Sequence, residues 1–231
     1  MKRAFTALAG ALAAAGVLLA SAPADAAVLS VPAPAPVAVA SRTAVVPLRA
    51  VLSPQFSARG PWGAYEADVW VNGAYGWRQV GTLHGTSPTV TGRVRLDAAE
   101  VGAGRVPLWL LDPTDGDAQR VTVTLKRRTV VSRPFMEACG GWVYVRALVR
   151  HYNPATGTYG PSKASPVRVQ KRTPAGWVTV ALITTDTRGV VAGYVPLGYG
   201  ATLVRLVRLD GTTVTSGTSP VVGVETVPGW C

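Results

Sequence analysis

The stretch GWRQVGTL, Gly76–Leu83, returns as GWVTVALI, Gly176–Ile183, one hundred residues later in the same register. Three further pairs follow in the same order: VPLRAVL (46–52) with VYVRALV (143–149), GRV (92–94) with GYV (193–195), and LLD (110–112) with RLD (208–210). The offsets stay between 97 and 101. Four matches in one order at a nearly constant offset mean a tandem duplication of a unit of one domain's length.

Within each unit the apolar period is two. Val90, Gly92, Val94 and Leu96 alternate with Thr91, Arg93 and Arg95, and Val121, Val123 and Leu125 alternate with Thr122, Thr124 and Lys126. That spacing predicts strands with one wet face. Glycine and proline punctuate the chain at PWGAY, NPATG, TPAG, DTRG and PLGYG, and beyond the first residues no capped amphipathic helix of useful length can be read. The expected fold is all-β, two tandem antiparallel β-sandwich units. In the second unit strands are expected near 142–150, 164–172, 177–184, 189–196, 201–209 and 213–225, with a further one within 128–136. Two layers fit better than one open sheet because VYVRALV and LVRLV carry too much apolar surface for a single exposed layer, a barrel-like arrangement being the alternative.

The first residues place Lys2 and Arg3 ahead of an Ala/Leu/Val run that ends at Ala24-Asp25-Ala26, the pattern of a cleaved export signal. The expected organisation is a signal peptide at 1–26, a Pro/Ala-rich linker at 27–41 and sandwich units at 42–131 and 132–231. The processed chain is then expected to be secreted, extracellular or loosely associated with the cell wall. Its net charge is +11, or +10 once Lys2, Arg3 and Asp25 leave with the signal. Such an excess draws anionic polymers, or it is a solvated surface that reflects codon bias, since only four lysines accompany the many arginines.

SPVRVQKRTPAGWVTVALITTDTRGVVAGYVP, residues 165–196, resembles the Ig-like repeats of secreted and surface proteins of high-GC Gram-positive bacteria. The shared pattern is an apolar strand, a basic turn, Gly-Trp, a second strand, Thr-Asp-x-x-Gly and a strand ending in proline. LVRLVRLDG and TSPVVGV look like the last two strands of that family. The first unit has TLHGTSPTVTGRV in place of the Thr-Asp-x-x-Gly turn and joins the family through the repeat alignment. The resemblance implies a spacer, an adhesive module or an accessory binding domain, and no catalytic residues.

Trp77 and Trp177 each follow a turn glycine and open a strand. A residue three positions on points to the opposite face, so Trp77 and Val80, or Trp177 and Val180, share the core only if a bulge intervenes. An indole folded over a sheet edge is the expectation, with ligand stacking as the alternative. Cys139 and Cys231 bracket the second unit in an exported chain, which predicts a disulfide, the alternative being an intermolecular bond from a terminal thiol.

Catalytic groups are sparse. His84 and His151 stand in no metal spacing and beside no nucleophile motif, so no cofactor is expected. Glu66, Asp68, Asp97, Glu100, Glu137 and Glu225 are scattered without a certifiable pair. Asp112, Asp115 and Asp117 in DPTDGD read as a turn, with Ca²⁺ ligation as the alternative. Asp186 in TTDTRG reads as the cap of a turn that Gly189 completes. No aromatic-basic interleaving of the single-strand-binding type and no recognition helix can be read in the chain. The expected function is a non-catalytic binding or spacer module whose partner is an extracellular protein or an anionic cell-wall polymer. A polysaccharide-active enzyme and an inhibitor of an extracellular hydrolase are the alternatives. For the inhibitor, RHYNPATGTYGPSK (150–163) is the candidate loop, with Tyr152 and Tyr159 as contact residues beside Trp77 and Trp177.

Overall fold

The computed structural model describes residues 33–52, 64–111 and 118–229. The expected signal peptide, the DPTDGD carboxylates Asp112, Asp115 and Asp117, and Cys231 lie outside these residues.

The described residues are nearly all β, forming two Ig-like sandwich units in tandem. The first is built from β1 (Val37–Val39), β2 (Thr43–Val51), β3 (Tyr65–Gly73), β4 (Gly76–Gly85), β5 (Thr89–Asp97), β6 (Gly104–Leu111) and β7 (Ala118–Arg127). They form one sheet in the order β1-β7-β6-β3-β4-β5-β2. A single residue pair, His84 with Thr91, joins β4 to β5, and there the sheet folds into two layers. β1 lies against β2 at the other edge, so this sandwich closes on itself in the manner of a barrel. Inward side chains such as Val46, Val69, Leu83, Val94, Leu108 and Leu125 are fully buried between the layers. The helix α1 (Ala98–Val101) is one turn, capped by the Asp97 carboxylate, which accepts from the Ala99 N–H at 2.9 Å. Among the described residues no helix is long and apolar enough to cross a membrane.

The second unit comprises β8 (Thr129–Val131), β9 (Phe135–Cys139), β10 (Trp142–Asn153), β11 (Thr158–Pro161), β12 (Pro166–Thr173), β13 (Gly176–Thr184), β14 (Val190–Pro196), β15 (Gly200–Arg208), β16 (Gly217–Thr218) and β17 (Val222–Thr226). One sheet sets β8, β9, β11 and β14 around β10, and the other sets β13, β12 and β15 beside β16 and β17. Val143, Val145, Val149, Val167, Val169 and Leu206 fill the space between them. The pairings repeat those of the first unit: β2 with β5 becomes β10 with β14, β3 with β4 becomes β12 with β13, and β3 with β6 becomes β12 with β15. The Gly-Trp phrase, VPLRAVL with VYVRALV, and GRV with GYV fall on corresponding strands in matching register, whereas in β6 and β15 the matched positions are Leu110 and Leu206, two residues off the LLD–RLD alignment.

The departures from expectation have local causes. Val37–Val39 is a strand, although it lies in the stretch expected to be linker. Its Val39 side chain enters the core and its backbone pairs in parallel with Leu125–Arg127, which holds a run that the alternating prolines only predispose to extension. The expected strands at 128–136 and 213–225 each break in two, at Arg133-Pro134 and at Ser219-Pro220, since proline offers no N–H to a ladder. The candidate loop at 150–163 is a hairpin that continues β10 into β11, with Arg150 opposite Pro161 and Asn153 opposite Thr158.

The units are packed against each other at their junction. Only Arg128 separates β7 from β8; its N–H donates to Val39 O and its carbonyl accepts from Tyr152 N–H, both at 2.9 Å. Tyr152 is 6% exposed and belongs to the core of the first unit, although the second unit carries it. Arg127 exchanges backbone hydrogen bonds with Thr213 and Thr215, and Lys126 pairs with Asp210. The Arg127 guanidinium lies 3.2 Å from His151 Nε2. Guanidinium can only donate, which assigns the ring proton to Nδ1 and leaves the imidazole neutral.

Burial, followed by the charges of Arg127 and Arg208, holds His151 below the ordinary imidazole pKa. The sign follows from linkage: the unfolded chain takes a proton near the ordinary value of about 6.5, while the folded chain resists it. The contribution of this contact is therefore complete above about pH 6.5 and is lost as pH falls through the lower folded value. Thermal unfolding followed from pH 7.5 down to 5 should show a falling Tm. The fall should be shallower in His151→Gln; an identical fall in the variant would place the proton uptake elsewhere.

Candidate binding face

Along β3 the inward residues are Ala67, Val69 and Val71, and the outward ones are Glu66, Asp68, Trp70 and Asn72. Trp70 thus occupies a position of the wet parity. Across the β3–β6 ladder it faces Trp109, which also points outward between the buried Leu108 and Leu110. Trp77, opposite Asn72 at the start of β4, reaches across β3 and sets its ring edge-on to Trp109, centroids 6.0 Å apart at 77°. Such a pair adds about 1 kcal/mol to its area burial. With Leu111 the three indoles line a shallow concavity of about 380 Å³, and Trp77 remains 53% exposed.

A bulge does intervene beside the Gly-Trp phrase. The register shifts between Val69 and Trp70, opposite Val80, and again between Val169 and Gln170, opposite Val180. It turns Val80 and Val180 toward their cores, where both pack partly buried, while each tryptophan stays on the outer face. The expectation of an indole folded over a sheet edge is therefore corrected: both indoles lie across the face of the neighbouring strand.

Outward polar groups pair with one another along β3 and β4. Asp68 Oδ1 accepts from Gln79 Nε2 at 2.7 Å and from Thr82 Oγ1 at 3.0 Å, and His84 Nδ1 lies 3.3 Å from Glu66 Oε1. Among the described residues no three His, Cys, Asp or Glu side chains converge as a metal site.

The second copy has diverged at the corresponding places. Gln170 stands where the first unit has Trp70, and Arg205 where it has Trp109; Arg205 Nε donates to Gln170 Oε1 at 2.9 Å. The Arg205 guanidinium covers the Trp177 ring at 4.2 Å from its centroid, with Arg172 at 5.7 Å. Trp177 is thus capped by cations, whereas Trp77 joins an open aromatic group. Of the two tyrosines read as contacts, Tyr152 is corrected: it is buried at the junction, edge-on to Tyr159 at 5.5 Å. Tyr159 is part-exposed on the hairpin. Asp186 caps its turn as expected, its Oδ1 accepting from the N–H groups of Arg188 and Val190 at 2.8 Å. The Val190 bond, foremost, holds its carboxyl below the ordinary value.

Sequence reading missed Trp70, Trp109 and Leu111. The signal available was parity, since EADVWVN places a tryptophan on the polar phase; in VPLWLL the phase is hidden because every residue is apolar.

No family model matches the chain, and no curated protein matches it. Among solved structures it is similar to a tetra-tandem repeat from the extending region of a large adhesion protein, at 12% identity and TM-score 0.35 over 82% of this chain and 48% of that one. It is also similar to domains A168–A170 of titin, at 14% identity and TM-score 0.31 over 83% of this chain and 62% of that one. The chain spans less than two thirds of either. With TM-scores this low, the fold rests on the strand order of the chain itself.

Proposed function

We propose that the protein is an exported, non-catalytic binding module of the cell surface or the surrounding medium, and that its first unit holds a neutral saccharide on Trp70, Trp77 and Trp109. The observation that carries this reading is the gathering of three indoles on a sheet face whose other outward β3 positions, Glu66, Asp68 and Asn72, are polar. Apolar surface left in water on an otherwise polar face marks a contact. A pyranose ring offers a face of C–H groups and a rim of hydroxyls. The indoles suit the first, and Asp68, Gln79 and Asn72 suit the second. The leader-like first residues support export.

The second unit is closed by a Cys139–Cys231 disulfide on this reading. In support, a Cβ built on Gly140 would stand 3.5 Å from the carbonyl of Gly229, so the chain two residues before Cys231 runs beside the turn that follows Cys139.

Titration of the intact protein with cello-, malto- and chito-oligosaccharides, followed by tryptophan emission, tests the saccharide reading. The expected result is a shifted emission with a Kd on the order of 10⁻⁴ M for one series, about 5.5 kcal/mol. Trp70→Ala and Trp109→Ala should each weaken it by about tenfold, and Trp177→Ala should leave it unchanged. No response to any series, or an equal loss in Trp177→Ala, would overturn the site; release of reducing sugar would overturn the non-catalytic assignment.

A further inference from the structure

The outer face of the second unit carries a different chemistry. Along β10 the inward residues Val143, Val145, Ala147 and Val149 are buried, and the outward ones are Trp142, Tyr144, Arg146, Leu148 and Arg150. WVYVRALVR thus places two aromatic residues and then two arginines on one phase, a grouping that the intervening inward residues hide in the sequence. Neighbouring strands extend it: Phe135 stands opposite Arg146, Tyr194 opposite Tyr144, and Val130 opposite Arg150.

Two concavities lie end to end on this face, of about 450 and 460 Å³. The first is lined by Arg133, Phe135, Tyr144 and Arg146, the second by Arg128, Val130, Arg150 and Tyr159. Both include Ser132 and Leu148, so they form one trough. From Tyr144 to Arg150 it follows the strand for about 20 Å, the reach of a short oligomer rather than of a single ring. Four arginines line it and no acid does, and among the described residues no carboxylate forms a salt bridge with any of the four.

We propose that this trough binds an acidic polysaccharide, its arginines pairing with the uronate carboxylates of the chain. Charge complementarity selects an anion, and the planar guanidinium fork matches a carboxylate in two-point contact. The floor between the arginines selects the rest of the ligand. Leu148 and Val130 are aliphatic, and with the exposed rings of Phe135 and Tyr159 they suit the C–H faces of sugar rings. The rings of Tyr144 and Tyr194 pair beside this floor, 5.2 Å apart and tilted at 53°. The site lies on the other unit from the three indoles and stands independently of the neutral-saccharide reading.

Calorimetric titration of the intact protein with oligogalacturonate near 0.15 M salt, set against a neutral malto-oligomer and oligo-dT of similar length, tests this assignment. Oligogalacturonate should bind, and its affinity should fall at least about tenfold in Arg146→Gln/Arg150→Gln. Arg146→Lys/Arg150→Lys, which keeps the charge but not the fork, should fall between, and Arg95→Gln, an exposed arginine of the first unit, should bind as the unaltered protein does. Undiminished binding by the glutamine variant would overturn the proposal. So would oligo-dT binding tighter than oligogalacturonate, or no binding of oligogalacturonate at all.

Discussion

Replacing Gly189 with alanine is expected to destabilise the second unit by about 3 kcal/mol, seen as a lower denaturant midpoint at unchanged slope. Gly189 sits at φ +76°, the left-handed region, where a side chain costs about 1 kcal/mol. A Cβ there would also stand 2.5 Å from the carbonyl oxygen of Val149 and 3.0 Å from the nitrogen of Ser162. Both are backbone atoms of the β10–β11 hairpin, and they donate or accept in place: Val149 N–H gives its hydrogen bond to Gly189 O, and Ser162 N–H to Val149 O. Neither can move without opening the ladder. Gly198 provides the control, for it has the same φ of +76° and nothing within 4 Å of a built Cβ. Gly198→Ala should show the backbone cost alone, about 1 kcal/mol. Equal losses in the two variants would show that the close approach at Gly189 has no energetic consequence.

Cys139→Ser is the second large effect, about 4 kcal/mol in the chain-entropy description of a loop of about 90 residues. The proposed bridge ties the end of β9 to the chain beyond β17, so its loss frees both edges of the second unit at once. Mass spectrometry of the unreduced protein should give a monomer two hydrogen atoms lighter than the dithiol form. Two alkylatable thiols, or a covalent dimer, would reassign the pairing. Loss of stability in the serine variant equal to that in fully reduced protein would assign the effect to the bridge.

The duplication was legible because three of its phrases lie in matching register on strands that both copies retain, with alternation carrying the strand assignment, while the LLD–RLD match is two residues off the paired strands. Breaks at Pro134 and Pro220 were visible as prolines but not as breaks, since a proline at a sheet edge leaves a strand intact. The candidate sites were less legible for a specific reason. Reading Trp77 as a repeated packing residue treated the copies as equivalent, whereas their difference lies at partners far away in sequence, Trp109 in one and Arg205 in the other. Tyr152 looked like a loop residue because its hairpin is punctuated by NPATG, yet the junction buries it. No local pattern announces which side chain the neighbouring unit will cover.

β1 and β7, the first and last strands of the leading unit, run side by side in the same direction through three residue pairs. Tension applied at the start of β1 and the end of β7 would pull the two along each other in opposite senses. All of their cross-strand bonds would then bear load together, rather than parting one after another as in a zipper pulled from its end. Under a load applied at those two ends, that geometry resists force at the point where force enters the fold.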